Sequence, residues 1–241
     1  MAYNDTVWQT AELTRNYLDG VRGAIPLAQE QIAIMLFLAQ KNNPTVGAFL
    51  DLGCGDGILG QAVLGQYPTA VGVFADFSKP MLDAAEKRLA GSEQAVFIES
   101  DYGKAAWLSQ MAAYAPFDLI VSGFSIHHQP DERKKTLYAE LYDLLAPGGL
   151  FLNLEHVASH TDWGKQAFDQ FFIDGLYSYH QHNGRAQSRE EVSRKYYGRP
   201  DKSANILALV ETQCEWLREI GFKEVDCFLK IFELALFGGI K

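Results

Sequence analysis

The stretch Phe49-Leu50-Asp51-Leu52-Gly53-Cys54-Gly55-Asp56-Gly57 constrains this chain more than any other. An apolar run ends in a turn where glycine alternates three times, and a helical pattern over 58–64 follows at once. Glycines at that spacing let the backbone turn tightly and leave no Cβ between the turn and an approaching ligand. A strand feeding a helix this directly points to parallel strands joined by helical crossovers.

The same alternation continues downstream. Apolar runs at 48–52, 70–74, 95–98, 117–121 and 150–154 read as strands, and 58–64, 80–89 and 131–145 read as helices. The strands are apolar throughout rather than alternating, as in an open sheet covered on both faces. Residues 1–43 read as a mostly helical cap with a short helix near 10–18. A second helix over 27–40 carries the stripe Leu27, Gln31/Ile32, Met35 and Leu38/Ala39, with Pro26 in its first turn. Residues 155–202 carry no strand-like run and read as a helical insertion over the carboxyl ends of the strands. A helix over 203–220 and strands at 223–229 and 233–237 follow, and so short a final connection permits only an antiparallel hairpin. The expected division is a cap (1–43), a ligand-binding core (44–154), a lid (155–202) and a segment completing the core sheet (203–241).

Composition excludes several function classes. Asp plus Glu is 30 against 21 Lys plus Arg, a formal charge of −9, which opposes a broad nucleic-acid face. Cys54, Cys214 and Cys227 are odd in number and far apart, so neither a disulfide framework nor a CxxC metal pair is expected. The start Met-Ala-Tyr-Asn-Asp shows no basic region followed by an apolar one. A cytoplasmic protein, monomeric or homodimeric, without nucleic-acid or membrane partners, is the expectation.

Two ligand classes compete for the glycine turn. Gly55-x-Gly57-x-x-Gly60 spells the dinucleotide fingerprint and allows an NAD-dependent oxidoreductase. Its phase is awkward, because the strand ends at Leu52 and Gly60 falls inside the helix. Asp-Leu-Gly-Cys-Gly-Asp-Gly instead resembles the first motif of the class I S-adenosylmethionine-dependent methyltransferases. Further segments resemble that family in order: Asp76 ending the second strand, Glu99-Ser-Asp101-Tyr102 after the third, and Phe117 to His128 around the fourth. Pro147-Gly148-Gly149 and Leu150 to Glu155 continue the match, which spans about 48–155. Arg22 to Pro26 and the closing Phe-Glu-Leu-Ala-Leu-Phe-Gly-Gly region are similar to a branch of small-molecule methyltransferases. They also resemble carboxy-S-adenosylmethionine synthase, although Ala28 stands where that family carries a tyrosine.

The resemblance implies a Rossmann-like, seven-stranded, mostly parallel sheet with helices on both faces and the last strand antiparallel. It implies S-adenosyl-L-methionine as cofactor, S-adenosyl-L-homocysteine as product, and a small-molecule methyl acceptor. Gly53, Gly55 and Gly57 would admit the amino-acid end of the cofactor, with Arg22 and Cys54 in the same set. Asp51 would organise the turn or meet the ammonium. Asp76 would accept both ribose hydroxyls, since a carboxylate takes two hydrogen bonds well; the alternative is a surface turn aspartate. Phe77 and Met81 would sandwich the adenine, Met81 being equally suited to plain core. Asp101 would accept the adenine amino group beside Tyr102, and Ser122, Gly123 and Phe124 would line the cofactor. A non-catalytic cofactor-binding protein stays open as a third reading.

The catalytic group is not legible. His127 and His128, read as adjacent on a strand, should point apart and lack a third ligand, so no metal site is expected. His127 and His156 are candidate bases, because histidine titrates near pH 7. His160, His180 and His182 lie in the insertion with eight aromatic rings and Arg185, Arg189, Arg194, Lys195 and Arg199. The insertion and the N-terminal helices are expected to roof the ligand.

Overall fold

The computed structural model describes Thr10, residues 22–199, Lys202 and residues 204–241. The expected helix near 10–18 lies outside these residues except for Thr10.

Seven strands form one sheet: β1 (Ala48–Leu52), β2 (Val71–Asp76), β3 (Ala95–Glu99), β4 (Phe117–Gly123), β5 (Leu145–His156), β6 (Lys223–Ile231) and β7 (Leu234–Ile240). Their order is β3-β2-β1-β4-β5-β7-β6. Strands β1 to β5 pair in parallel, and β7 runs antiparallel to both neighbours, β5 and β6. The expected sheet is therefore present. Chain order reverses between β1 and β4, which opens a crevice beyond their carboxyl ends.

Strand alternation sorts the core into two layers. Phe49, Phe74, Leu119, Val121 and Leu152 face one side, against Met35 and Ala39 of α1 (Ala28–Asn42), Leu59 and Val63 of α2 (Ile58–Gln66) and Leu82 of α3 (Lys79–Arg88). Leu50, Leu52, Val73, Ile120 and Phe151 face the other. There they meet Trp107 and Met111 of α4 (Trp107–Met111), Leu137 and Leu141 of α5 (Asp131–Leu144), and Cys214 and Leu217 of α8 (Val210–Ile220). The insertion folds as two helices, α6 (Asp162–His182) and α7 (Arg189–Tyr197). They enclose a satellite core of Phe168, Phe172, Ile173, Leu176, Val192 and Tyr196 beside Leu234.

Four expectations are corrected. The helix predicted from 203 begins only at Val210. Residues 205–209 run as loop because tertiary partners take their backbone: Ile206 N–H donates to His127 O (2.9 Å), Ala208 O accepts from Ala158 N (2.9 Å), and Ile206 O accepts from Lys134 Nζ. Leu27 is not on the buried stripe of α1. It is the exposed residue before the helix, with φ 53°, and Pro26 precedes it in the turn; Gln31, Met35 and Ala39 carry the buried face. Strand β5 starts at Leu145, taking Pro147-Gly148-Gly149 inside it as an irregularity in the β4 pairing. Helix α4, five residues long, was not anticipated; one turn is too short for a periodic signal.

Candidate functional site

The glycine turn is held by its neighbours. Gly53 N–H and Cys54 N–H both donate to Ala75 O (2.8 and 3.1 Å), pinning the turn to β2. Gly53, Gly55 and Gly57 all have positive φ, at 63°, 55° and 77°. Each has a different reason to lack a side chain. A Cβ on Gly53 would lie 1.9 Å from Ser125 Oγ, and one on Gly57 would crowd Ala85 and Leu89, while one on Gly55 would project into open space. Gly60 is a packing residue: a Cβ there would meet the Phe74 ring at 2.1 Å. Asp51 Oδ2 accepts from Gly60 N (2.8 Å), tying the end of β1 to the first turn of α2.

Asp76 ends β2 with its carboxylate buried. Oδ2 accepts from Gly55 N and Oδ1 from Ser78 N, both at 2.8 Å. A carboxylate offers about four lone-pair sites, so two hydroxyl donors can still be accepted. Burial pushes its pKa from 3.8 up to about 6, against the pull of the backbone N–H groups of Ser78, Gly55 and Phe77. Because the folded pKa is raised, the favourable contribution is present below pH 3.8 and lost as pH rises through about 6. At neutral pH the buried anion costs the fold about 3 kcal/mol. An anion kept at such a cost, on a strand end beside a glycine turn, suggests a functional residue. Burial and the two acids Asp76 and Asp51 push the Cys54 thiol well above its ordinary value. Cys54 is therefore expected to resist alkylation of the native chain at pH 8, checked by mass spectrometry after iodoacetamide; rapid labelling would contradict this environment.

A cavity of about 300 Å³ opens in front of the turn. Asp51, Gly53, Cys54, Gly55, Gly123 and Phe124 of the expected set line it. Residues outside the expected cofactor-binding set line it too, among them Ile25, Ala28, Gln31, Ile32, Leu154 and Tyr179. Gln31 Nε2 donates to Pro26 O (2.6 Å), and Tyr179, deep in the insertion, lays its ring on Gly23 so closely that a Cβ there would lie 2.3 Å from it. The sequence places Tyr179 only among the eight rings of the insertion; nothing local singles it out from them, because its partner Gly23 stands more than 150 positions earlier in the chain.

The other expected residues are placed as follows. Tyr102 is buried, its hydroxyl donating to Ser125 O (2.9 Å) and meeting Ser125 Oγ at 2.6 Å. Asp101 accepts from Gly103 N (2.9 Å) and pairs with Lys104 (2.8 Å). Met81 is buried and Phe77 half-buried. Gly57 faces the start of α2 rather than the cavity. Ser122 does not line the cavity: fully buried, it donates across the sheet to Leu52 O (2.8 Å). Arg22 opens a short 3-10 turn, Arg22–Ala24, leading towards the cavity.

The histidines depart from expectation. His127 and His128 sit in a 3-10 turn, Ile126–His128, with rings 4.0 Å apart rather than on opposite strand faces. His127 is buried and donates through Nδ1 to Glu155 Oε1 (2.5 Å), while its backbone N–H donates to Oε2 (3.0 Å). Burial holds both histidines well below their ordinary pKa and raises that of Glu155. His127 is thus a neutral structural donor away from the cavity. His156 donates through Nε2 to buried Glu233 (3.0 Å) and lines a different, second cavity.

Comparison with known proteins follows this geometry. Residues 50–151 match a family model described as a methyltransferase domain. The chain is 30% identical over 203 residues to a trans-aconitate 2-methyltransferase of Variovorax paradoxus, covering 77% of this chain and 72% of that one. It is 23% identical over 233 residues to a carboxy-S-adenosyl-L-methionine synthase of a Nitratiruptor species, covering 95% and 91%. In fold it is similar to an O-methyltransferase family protein from Burkholderia thailandensis, with TM-score 0.67 and 14% identity over 100% of this chain and 64% of that one. The chain spans less than two thirds of several solved chains it resembles. The dinucleotide reading is not favoured, since the family model and the relatives matched are methyltransferases. With fold, turn and relatives in agreement, the chain belongs to the class I S-adenosylmethionine-dependent methyltransferases.

Proposed function

We propose that this chain binds S-adenosyl-L-methionine at the glycine turn and transfers its methyl group to a small-molecule acceptor by in-line displacement. The observation that carries the reading is Asp76: a buried carboxylate anchored to Gly55, beside a left-handed glycine open to the cavity. The residues present fit the cofactor. Asp76 retains acceptor capacity for the ribose hydroxyls, Gly53 and Gly55 admit the amino-acid end, and Asp51 fixes the turn through Gly60. Phe77, Met81, Asp101 and Tyr102 lie along the β2 and β3 ends, where the adenine is proposed to sit.

When bound, the cofactor supplies a methyl group already activated on a sulfonium, so the protein's task is alignment and exclusion of water. Ile25, Ile32, Leu154, Phe124 and the Tyr179 ring give the cavity an apolar wall suited to that task. Neither His127, engaged with Glu155, nor His156, on the second cavity, is proposed as a base at this wall.

Calorimetry tests the reading. S-adenosyl-L-homocysteine is expected to bind and NADH is not; the reverse would sink the proposal. Asp76→Ala is expected to weaken binding by about 1–3 kcal/mol. In the parent chain, affinity is expected to fall as pH drops through about 6, because the hydroxyls need the ionised carboxylate. Asp76→Asn is expected to flatten that dependence, and an unchanged slope in this variant removes Asp76 from the role. Transfer of labelled methyl to any small molecule separates an enzyme from a non-catalytic binder.

A further inference from the structure

Gln31 has no part in the proposed cofactor contacts, yet it is a polar side chain only 2% exposed, on the buried face of α1, and it lines the cavity in front of the glycine turn. Its Nε2 lies 2.6 Å from Pro26 O. A carbonyl oxygen only accepts, so the nitrogen must face Pro26 and the amide oxygen is turned away from it. No group among the described residues donates to that oxygen. A buried acceptor without a donor is costly, and the open space this side chain borders is the cavity, so a ligand's donor is what would satisfy it.

The rest of the wall restricts what that ligand is. Ile25, Ile32, Phe124, Leu154 and the Tyr179 ring make it mainly apolar. No Lys, Arg or His is among the described residues that line it, and its two acids are engaged: Asp51 accepts from Gly60 N (2.8 Å) and Asp56 pairs with Arg88. An anionic methyl acceptor would enter without a counter-charge and face two carboxylates, which is strongly unfavourable in a buried site. A protonated amine has no lone pair to offer the methyl group. Phe77, Met81, Asp101 and Tyr102, proposed for the adenine, do not line this cavity, so it is left to the methyl end of the cofactor and to the acceptor.

We propose that the methyl acceptor is a neutral, mainly apolar molecule bearing an O–H or N–H group, and that Gln31 Oε1 accepts the hydrogen bond from that group and so fixes the acceptor's orientation. The proposal rests on this cavity being the cofactor site. Gln31 is a specificity-determining residue and takes no proton. Arg22, in the set expected at the amino-acid end, is answered by the cofactor's own carboxylate and adds no counter-charge for an acceptor.

Three ring compounds test this on the full chain saturated with S-adenosyl-L-homocysteine, titrated by ligand-observed NMR: phenol, which brings a donor; anisole, the same ring without one; and benzoate, which brings a negative charge. Phenol is expected to bind at least tenfold more tightly than benzoate. Gln31→Met, close to the parent in length, is expected to weaken phenol about three- to tenfold, the factor one hydrogen bond supplies, and to leave anisole no weaker. S-adenosyl-L-homocysteine affinity is expected to stay unchanged, which also reports that the variant folds; Gln31→Leu replaces it if it does not. Benzoate binding as tightly as phenol, no detectable phenol binding, or phenol and anisole weakened alike in the variant overturns the proposal. A variant that keeps the parent circular dichroism spectrum but loses S-adenosyl-L-homocysteine assigns the oxygen to the cofactor and overturns it too. Absence of S-adenosyl-L-homocysteine binding to the parent chain instead overturns the cofactor reading itself, and this inference with it.

Discussion

Gly53→Ala is expected to weaken S-adenosyl-L-homocysteine binding about a hundredfold or more, measured by calorimetry. Gly53 has φ 63°, which costs an alanine about 1–2 kcal/mol. The new methyl would also lie 1.9 Å from Ser125 Oγ and 2.5 Å from Ser125 Cβ. Ser125 cannot swing aside freely, because its Oγ is hydrogen-bonded to the Tyr102 hydroxyl at 2.6 Å. Overpacking of this kind costs about 1–3 kcal/mol. The turn can relieve both terms by leaving its native shape, and binding must then restore that shape against about 3 kcal/mol, a factor of about a hundred. Gly91→Ala is the control. Its φ is 88° and nothing lies within 4 Å of the added Cβ, so it should lose stability by about 1 kcal/mol and keep its affinity. Equal affinity loss in both variants, or none in Gly53→Ala, contradicts the account.

Glu155→Ala is expected to lower the unfolding free energy by about 3–5 kcal/mol, because it leaves three buried donors without their acceptor and opens a cavity. Glu155 is wholly buried and accepts from His127 N (3.0 Å), His127 Nδ1 (2.5 Å) and His156 N (2.8 Å). Its removal leaves these donors facing a void, each unsatisfied donor costing about 1–3 kcal/mol. For a chain of this size the fall in Tm should be about 6–20 °C. His127→Ala should cost less, since Glu155 keeps its two backbone donors. A Glu155→Ala variant that melts with the parent would show that the His127–Glu155 contact does not hold the β4 and β5 ends together.

Sequence and structure divide along the range of the forces involved. Strands β1 to β5 and helices α1, α2, α3 and α5 were legible because apolar periodicity and glycine placement act over a few residues. The glycine turn was legible for the same reason: the left-handed backbone at Gly53, Gly55 and Gly57 is a local demand. Asp76 was legible through the family resemblance as the acid at the end of β2, and its backbone donors, Gly55 and Ser78 among them, come from the turns beside it.

The rest depended on partners far along the chain. Residues 205–209 look helical by composition, yet His127, Lys134 and Ala158 claim their backbone groups. Ser122 had the position to line a cavity but found Leu52 O across the sheet. His127 looked like a base until the 3-10 turn delivered it to Glu155, and Tyr179 was one of eight insertion rings until α6 laid it on Gly23. By itself the sequence determined the α/β class and the strand–turn–helix at 49–64, because each is set by backbone preference and local pattern; the acid that closes β2 was picked out by resemblance to the family's second motif. Which side chains face the two cavities was decided only by tertiary structure, because hydrogen-bond satisfaction and packing are settled between groups that meet only once the chain has closed on itself.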